Sequence, residues 1–308
     1  MQAVFEYIEQ QFTQRKGEVT RLFHGRGQCF SGFEDVVIDR LPPLIIIRLF
    51  SEIPEQQLDQ LVAFFAEHPV YKPETLVIQY RYLREDSIKV CWQAPETELQ
   101  RLAVTEGNLQ FWMQPLRNQN SGLFLDMREG RRWVQQQSKG LRVLNLFAYT
   151  CGFSVAALAG GAAKVVNLDM SSPALNTGRE NHRLNGHDMS KVKFFAHDLF
   201  RSWGKLKREG PYDLVVIDPP SFQKGSFVAT KDYLKVLRRL PDLTCENARV
   251  LSCLNSPELD SQFLLDLMAE YCPEFRFVER LANPEDFPDA DPERALKVLL
   301  FEKNSLNK

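Results

Sequence analysis

An alternation of apolar strand-like runs with segments of helical periodicity begins near residue 140, and it constrains the fold more than any other feature. The predicted strands are 141–147, 164–168, 192–196, 214–217 and 249–254. The predicted helices between them are 153–159, 173–184, 231–240 and 259–271. Strands that alternate with helices predict a parallel, doubly wound α/β sheet. Two final predicted strands, 275–279 and 296–301, would add an antiparallel edge.

The sequence before this alternation has a different pattern and predicts a small α+β domain over residues 1–118, with RNA or substrate binding as its possible role. Its predicted elements are a helix at 1–22, strands at 33–38 and 44–50, a helix at 51–68, and strands at 76–82, 88–92, 102–105 and 109–113. The whole chain of 308 residues suggests about two domains. The second domain is therefore predicted at 119–308, with a leading β-hairpin at 119–140.

Composition excludes several classes of protein. Lys and Arg total 38 and Asp and Glu total 40, so a uniformly basic nucleic-acid coat is excluded while a local basic patch is not. No apolar run approaches the roughly 20 residues of a membrane span, and the start of the sequence lacks the features of a signal peptide.

Six scattered cysteines predict reduced thiols in a cytoplasmic protein. No ligand pattern completes a metal site around His182 and His187, so we expect no metal.

Three acidic residues, Asp169, Asp198 and Asp218, come directly or closely after the second, third and fourth predicted strands. Ligands of open α/β sheets bind at the carboxyl ends of the strands. One such acid alone is more typical of a helix cap. Three at successive strand ends favour a ligand site.

The segment after the first strand, Asn145–Ser154, contains neither the Gly-x-Gly-x-x-Gly pattern nor a Walker motif, which argues against pyrophosphate at this turn. A ligand with a ribose and an amino-acid tail fits better. Asp169 is suited to accept hydrogen bonds from ribose hydroxyls, and Asp198 to contact an adenine amino group.

The fourth strand leads into Asp218-Pro219-Pro220-Ser221-Phe222. Two consecutive prolines fix the backbone and remove two donors, so they can hold a carboxylate rigidly. The ring of Phe222 offers a stacking surface to a planar base. The alternative is an ordinary proline-rich turn.

Together these residues resemble class I S-adenosylmethionine-dependent methyltransferases, and more closely the bacterial 23S rRNA large-subunit methyltransferases of types I and K/L. The stretches that carry the resemblance are 121–132, 143–154, 167–171, 181–186 and 212–222, with a weaker similarity at 21–40. In departure from the family, we expect no PUA domain like that of the type I enzymes and no second methyltransferase half. Cys151 also replaces a usual glycine.

The resemblance implies a Rossmann-like fold, S-adenosylmethionine as cofactor and ribosomal RNA as partner; a homodimer is left open. The cofactor-binding residues that it implies are Phe124, Asp126, Arg128, Asn145, Phe147, Ala148, Tyr149, Thr150, Gly152, Asp169, Met170, Asp198, Leu199, Asp218 and Pro219. The substrate-binding residues that it implies are Pro220, Ser221, Phe222, Lys224 and Arg131. Asp218 is also expected to be catalytic.

The target atom depends on Cys253. Carbon 5 of cytosine is a poor nucleophile, so its methylation requires a thiolate that adds at carbon 6. Cys253 lies in a segment similar to the Ser-Cys motif of the type I enzymes, which favours cytosine carbon 5 over guanine nitrogen 7. Leu254 stands where the family has serine, and a buried apolar thiol is the alternative interpretation.

Two basic segments are candidates for RNA contact. One contains Lys224, Lys231, Lys235, Arg238 and Arg239, and the other Arg201, Lys205, Lys207 and Arg208. Either could instead be a solvated helix face. The alternatives to an RNA methyltransferase are a non-catalytic module for ribosome assembly that binds the cofactor and RNA, and a methyltransferase that acts on a small molecule or a protein.

Overall fold

The computed structural model describes residues 1–14, 17–117, 121–220, 222–223 and 227–304. The chain forms two compact units. The first unit comprises Met1–Asp126 together with Pro284–Ala290, and the second comprises Met127–Asn283 together with Asp291–Lys308.

The first unit is built on a five-stranded sheet with two helices on one face. Its elements are α1 (Gln2–Gln14), β1 (Thr20–His24), β2 (Val36–Leu41), β3 (Leu44–Leu49), α2 (Glu55–Glu67), β4 (Thr75–Tyr80), β5 (Ile88–Trp92), β6 (Leu102–Glu106) and β7 (Leu109–Met113). The sheet order is β1-β2-β3-β4-β5, and only β3 and β4 are parallel because α2 provides their crossover. The strands β6 and β7 form a separate hairpin. The predicted small α+β domain is therefore present.

The helix predicted at 1–22 is too long. α1 ends at Gln14, and Thr20–His24 is a strand whose residues pair with β2. Thr20, Leu22 and Phe23 are buried in this sheet, and pairing with β2 outweighs any local helical preference.

The second unit contains a seven-stranded sheet with helices on both faces. Its elements are α3 (Arg128–Gln137), β8 (Arg142–Leu146), α4 (Gly152–Ala159), β9 (Lys164–Asp169), α5 (Ser172–Leu184), β10 (Val192–Ala196), α6 (Trp203–Glu209), β11 (Tyr212–Ile217), β12 (Phe222–Gln223), β13 (Phe227–Val228), α7 (Ala229–Leu237), α8 (Leu240–Leu243), β14 (Thr244–Leu254), α9 (Ser261–Tyr271), β15 (Phe275–Leu281) and β16 (Lys297–Lys303). The sheet order is β10-β9-β8-β11-β14-β16-β15.

The predicted doubly wound sheet with an antiparallel edge is confirmed. Neighbouring strands from β10 to β14 are parallel, and β16 inserts antiparallel between β14 and β15. Strand order reverses at β8 and β11, and ligands of such sheets bind beside that point, at the carboxyl ends of the strands.

The β-hairpin predicted at 119–140 is wrong. Residues 125–127 form a short 3₁₀ turn and Arg128–Gln137 form helix α3. The buried residues of this helix are Arg128, Gly130, Arg131 and Val134, so its inward face contains only one large apolar side chain. Hydrophobic periodicity is the main sequence signal of a helix, and here that signal is missing.

Candidate active site

The predicted acidic residues follow neighbouring parallel strands at one edge of the sheet. Asp169 is the last residue of β9, Asp198 follows β10, and Asp218 follows β11. Leu146 at the end of β8 pairs with Leu168 on one side and with Ile217 on the other. The loop after β8 therefore begins between the strand ends that carry Asp169 and Asp218.

The loop after β8 has an unusual backbone. Phe147, Tyr149 and Cys151 adopt positive φ values of 58°, 45° and 65°. Each such non-glycine residue costs about 1–3 kcal/mol, so the surroundings must hold the conformation, as is common at ligand sites. Cys151 occupies a left-handed position just before α4, which explains why a glycine suits that position.

Three neighbours hold this loop. The backbone N–H of Tyr149 donates to Oδ2 of Asp169 at 2.8 Å, and the N–H of Ala148 donates to the carbonyl oxygen of Leu168 at 3.0 Å. From α5, Nδ2 of the buried Asn181 donates to the carbonyl oxygen of Thr150 at 2.9 Å. These contacts bind the loop to β9 and α5.

Asp169 fixes the backbone on both sides of the strand end. Its Oδ2 accepts from Tyr149 and its Oδ1 accepts from the N–H of Ser171 at 2.7 Å. Each carboxylate oxygen has two acceptor sites, so one on each oxygen is still suited to a ribose hydroxyl. Met170, beside it, is 57% exposed.

Asp198 serves as a helix cap. Its Oδ1 accepts from the N–H of Phe200 at 2.8 Å and so starts the 3₁₀ turn of Leu199–Arg201, within which Leu199 is buried. Its Oδ2 lies 3.7 Å from Nε of Arg201. Asp198 therefore has the geometry of a helix cap. A contact between Asp198 and an adenine amino group would have to form in addition to this cap.

A buried hydrogen-bond chain lies behind the loop. Nδ2 of Asn145 donates to Oδ1 of Asn167 at 2.9 Å, and Nδ2 of Asn167 donates to Oγ of Ser154 at 2.9 Å. Oγ of Ser154 lies 2.8 Å from Nε2 of His182. Since Ser154 already accepts from Asn167, its hydroxyl can donate to neutral His182. This chain joins β8, β9, α4 and α5.

The protonation of His182 supports that assignment. Burial, with the nearby charge of His187, lowers the pKa of His182 to about 3. The ring is therefore neutral at pH 7 and can accept. Among the residues of this hydrogen-bond chain, the sequence predicts a functional role only for Asn145. The sequence signal for the other asparagine is its position: Asn145 and Asn167 occupy matching positions of two apolar strands.

The proline tip is held by a buried tyrosine. The hydroxyl of Tyr233 in α7 lies 2.9 Å from the carbonyl oxygen of Cys253 and 3.4 Å from that of Ile217. Burial raises the pKa of Tyr233 well above its usual value, so this hydroxyl keeps its proton and can donate. It joins the ends of β14 and β11 next to Asp218.

The remaining tip residues are only partly described. Pro219 is buried and Pro220 is half-buried. Phe222 begins β12, which pairs with β13. Ser221 and Lys224 lie outside the described residues.

Cys253 lies beside Asp218 in the sheet, but its side chain is buried. Ile217, the last residue of β11, pairs with Ser252 of β14, so Asp218 and Cys253 are the next residues along these two neighbouring strands. The Cys253 side chain is 1% exposed within an apolar cluster that includes Leu251 and Val298.

The other predicted residues differ in location and exposure. Arg128 and Arg131 lie on α3 and are each 3% exposed. Because Arg131 is buried, it does not offer the surface contact that its expected role in substrate binding would use. Phe124, which is 40% exposed, and Asp126 belong to the first unit, whereas the other predicted site residues belong to the second. Gly152 begins α4.

Two basic residues of the first predicted segment, Lys235 and Arg239, lie over aromatic rings beside the second segment. The rings of Phe200 and Trp203 contact each other edge to face at 6.3 Å. Nζ of Lys235 lies 5.3 Å from the Phe200 ring, and Cζ of Arg239 lies 5.9 Å from the Trp203 ring. We call Phe200, Trp203, Lys235 and Arg239, together with Lys205, the basic–aromatic surface.

Lys205 extends this surface toward β10. Its Nζ lies 4.9 Å from the Phe195 ring and 2.8 Å from Nε2 of His197. Asp232 neutralises part of the charge because it lies 2.7 Å from Lys235. Cations stacked on aromatic rings are typical of surfaces that bind single-stranded nucleic acid.

Within the described ranges of the chain, no three His, Cys, Asp or Glu side chains are grouped to hold a metal ion. Nor do those ranges contain a helix with the length and apolar character that crossing a membrane requires.

The strand order, the strained loop after β8 and Asp169 at the end of β9 define a class of α/β protein that binds a nucleoside-containing cofactor at the sheet's edge. The chain belongs to the S-adenosylmethionine-dependent methyltransferase family, whose model matches residues 20–302. The site fits that cofactor, because it offers acceptors for a ribose and no phosphate-binding glycine loop.

Curated relatives with similar sequences are named ribosomal RNA large subunit methyltransferase I. The protein from Aeromonas hydrophila is 31% identical over 200 residues, which cover 63% of this chain and 50% of the relative. The one from Erwinia tasmaniensis is 28% identical over 270 residues, which cover 83% of this chain and 67% of the relative. The chain thus spans about half to two thirds of these relatives.

Solved structures share the fold. SMU.776, solved in complex with SAH, has a TM-score of 0.84 and 23% identity, covering 97% of this chain and 80% of that one. The tRNA m1G37 methyltransferase of M. jannaschii has a TM-score of 0.61 and 14% identity, covering 87% of this chain and 74% of that one. At these identities the likeness concerns the fold alone.

Proposed function

We propose that this chain transfers the methyl group of S-adenosylmethionine to a base of ribosomal RNA. The observation that carries the proposal is the basic–aromatic surface, where Lys235 and Arg239 lie over the rings of Phe200 and Trp203, in a methyltransferase whose curated relatives are named for large-subunit rRNA. When bound, the cofactor supplies an electrophilic methyl group. The protein's task is then to orient a nucleobase toward it and exclude water.

The loop after β8 and Asp169 support cofactor binding in this proposal. The hydrogen bond to Asp169 holds the loop in its strained conformation from within the protein, so its backbone needs little reorganisation on binding. Asp169 would accept from the ribose hydroxyls and Asp198 would face the adenine. Asn145, Thr150 and Asn181 would maintain the loop through their hydrogen bonds.

The tip at Asp218 supports recognition of the target base. Pro219 and Pro220 restrict the backbone, and Tyr233 joins the strand ends on either side. Asp218 would hold the amino group of the base or accept its proton. The basic–aromatic surface would bind neighbouring phosphates and bases of an unpaired strand.

For the target atom we propose carbon 5 of cytosine. The thiolate of Cys253 would form a bond to carbon 6, carbon 5 would take the methyl group, and a base would remove the carbon-5 proton as the carbon–sulfur bond breaks. The position of Cys253 beside Asp218 supports this assignment. Its 1% exposure means that RNA binding must uncover the thiol.

The experiment is transfer of tritiated methyl groups from S-adenosylmethionine to deproteinised large-subunit rRNA from a strain that lacks the gene. We expect label in the RNA, followed by mass mapping of one modified cytidine. Label in a small molecule or protein, and none in RNA, would support the alternative methyltransferase. Cofactor and RNA binding without any label would support the ribosome-assembly module.

Cys253 is tested separately with a matched control. Cys253→Ala should reduce methyl transfer to the level without enzyme, while Cys272→Ala, which removes another fully buried thiol of the same unit, should retain it. Full activity in Cys253→Ala would exclude carbon 5 and assign a nitrogen such as guanine nitrogen 7.

A further inference from the structure

Two arginines of the first unit meet on one phenylalanine ring. Cζ of Arg26 lies 4.3 Å from the centroid of Phe50, and Cζ of Arg81 lies 5.7 Å from the same centroid. The face of a ring attracts a cation, but two guanidinium groups on one ring repel each other. Burial, and after it the charge of Arg26, lowers the pKa of Arg81. The pair therefore gathers positive charge at one place.

The backbone holds both arginines at defined positions. Arg26 lies in the turn Gly25–Gly27, where a Cβ on Gly25 would be 1.8 Å from the carbonyl oxygen of Phe33. A Cβ on Gly27 would be 1.8 Å from the carbonyl oxygen of Pro288, also in this unit. The N–H of Arg81 donates to the carbonyl oxygen of Leu49 at 2.7 Å. Neither position is a freely moving loop tip.

The described residues place no carboxylate in an ion pair with either arginine of this pair. The acidic Asp35 is near Phe50, but its Oδ2 accepts from the hydroxyl of Ser51 at 2.6 Å. By contrast, Arg21 and Arg48 in the same unit both bind the carboxylate of Asp39. Unlike Arg21 and Arg48, neither Arg26 nor Arg81 forms an ion pair with a carboxylate among the described residues.

The surroundings of the pair are accessible and aromatic. Arg26 is exposed, and Arg81 and Phe50 are half-buried. Tyr82, next to Arg81, is 40% exposed and contacts Tyr80 edge to face at 6.1 Å. Arginines on a ring with a neighbouring exposed tyrosine are suited to a phosphate and a stacked base.

We propose that Arg26, Phe50 and Arg81 form a phosphate-binding site that holds the backbone of the RNA substrate on the first unit, with Tyr82 beside it as a stacking surface. This inference rests on the proposed RNA substrate. It gives the first unit a binding role, which the methyltransferase family alone does not assign to these residues.

The test compares two doubly neutralised variants. Arg26→Gln with Arg81→Gln removes the pair, and Arg84→Gln with Lys89→Gln removes two exposed charges of the same unit as a control. Affinity for a fluorescent single-stranded RNA of about 30 nucleotides, a length that spans several binding sites, is measured over a range of KCl concentrations. The first variant should bind about tenfold more weakly per arginine lost, with a salt slope smaller by about 1 for each. The control should bind like the wild type.

Two further measurements identify the cause of any failure. Calorimetry with SAH reports whether each variant retains a folded cofactor site. If the wild type binds and methylates RNA but the first variant equals the control, this inference is overturned and the proposed function stands. If the wild type binds no RNA, both are overturned. Micromolar binding of inorganic phosphate by the pair, without any effect on RNA affinity, would assign the site to a free anion and overturn the RNA assignment.

Discussion

A Cβ atom added to Gly178 would lie 2.4 Å from the sulfur of Cys151 and 2.9 Å from its Cβ. Helix α5 therefore leaves at residue 178 the space that the thiol occupies. Cys151 is fully buried, and burial together with Asp169 raises the pKa of its thiol, so it packs as a small apolar group. The residue that replaces a usual glycine in the loop is thus accommodated by a glycine on the neighbouring helix.

This relationship predicts a coupling between the two positions. Gly178→Ala should destabilise the second unit by about 1–3 kcal/mol, because the core is overpacked against Cys151. Cys151→Gly removes the obstructing thiol and suits the positive φ, so the double variant should recover most of that loss. The check is a double-mutant cycle by urea unfolding. Strictly additive effects would show that the two residues do not share this space.

Asp169 should be essential for the shape of the cofactor loop. Asp169→Asn replaces one acceptor oxygen by an amide, so either Tyr149 or Ser171 loses its partner. We expect about 10- to 100-fold weaker SAH binding, measured by calorimetry. The matched control is Asp188→Asn, which changes a comparable cap at Ser190. Equal affinity in both variants would contradict the role of Asp169.

Stability of the second unit should fall as the pH drops below the ordinary pKa of histidine. His182 has a folded-state pKa of about 3 against about 6.5 when unfolded, so between these values only the unfolded chain takes up the proton. The contribution of neutral His182 to the free energy of unfolding is complete above pH 6.5 and is lost as the pH falls toward 3. About 2 kcal/mol of it is lost between pH 7 and 5.

The measurement is urea unfolding at these two pH values. His182→Gln should reduce the difference between them, whereas His197→Gln, which changes an exposed ring, should leave it intact. An unchanged difference in His182→Gln would assign the pH dependence to other groups.

The ion cluster at Asp39 should dominate the stability of the first unit. Burial raises the pKa of Asp39, but the charges of Arg21 and Arg48 outweigh it and hold that pKa below its usual value. Asp39→Asn leaves the buried Arg48 without a counter-charge and should cost about 3–5 kcal/mol by urea unfolding.

The half-buried pair of Glu9 and His68, whose Oε1 and Nε2 atoms are 3.3 Å apart, provides the control. Glu9→Gln should cost less than about 1 kcal/mol. Comparable losses in Asp39→Asn and Glu9→Gln would mean that burial does not strengthen the Asp39 cluster.

Apolar runs with acidic residues at their ends made the second sheet predictable. Strands such as Tyr212–Ile217 are buried on both faces, and parallel sheets produce such runs in the sequence. Helix α3 was not predictable in this way, because Arg128, Gly130 and Arg131 form most of its buried face. α6 was also missed, since its seven residues include only Trp203 and Leu206 as large apolar side chains.

The location of the site was predictable, but its internal geometry was not. Asp169 stands at the end of its strand as expected, and sheet topology alone dictates that position. The positive φ values of Phe147 and Tyr149 could not be predicted, because aromatic residues rarely adopt them without tertiary support. The exposure of Cys253 likewise depends on packing against residues distant in sequence, such as Val298.

The segment Pro284–Ala290 belongs to the first unit although it connects two strands of the second. Asp286 accepts from the backbone N–H of Arg21 at 3.1 Å, and the Phe287 ring lies 4.4 Å from Cζ of Arg21. A gene fragment that stops at residue 126 would encode the first unit without the segment Pro284–Ala290. A fragment that starts at residue 127 would encode this segment without the rest of the unit to which it belongs. We therefore expect that exchange of either unit between related proteins requires exchange of the other as well.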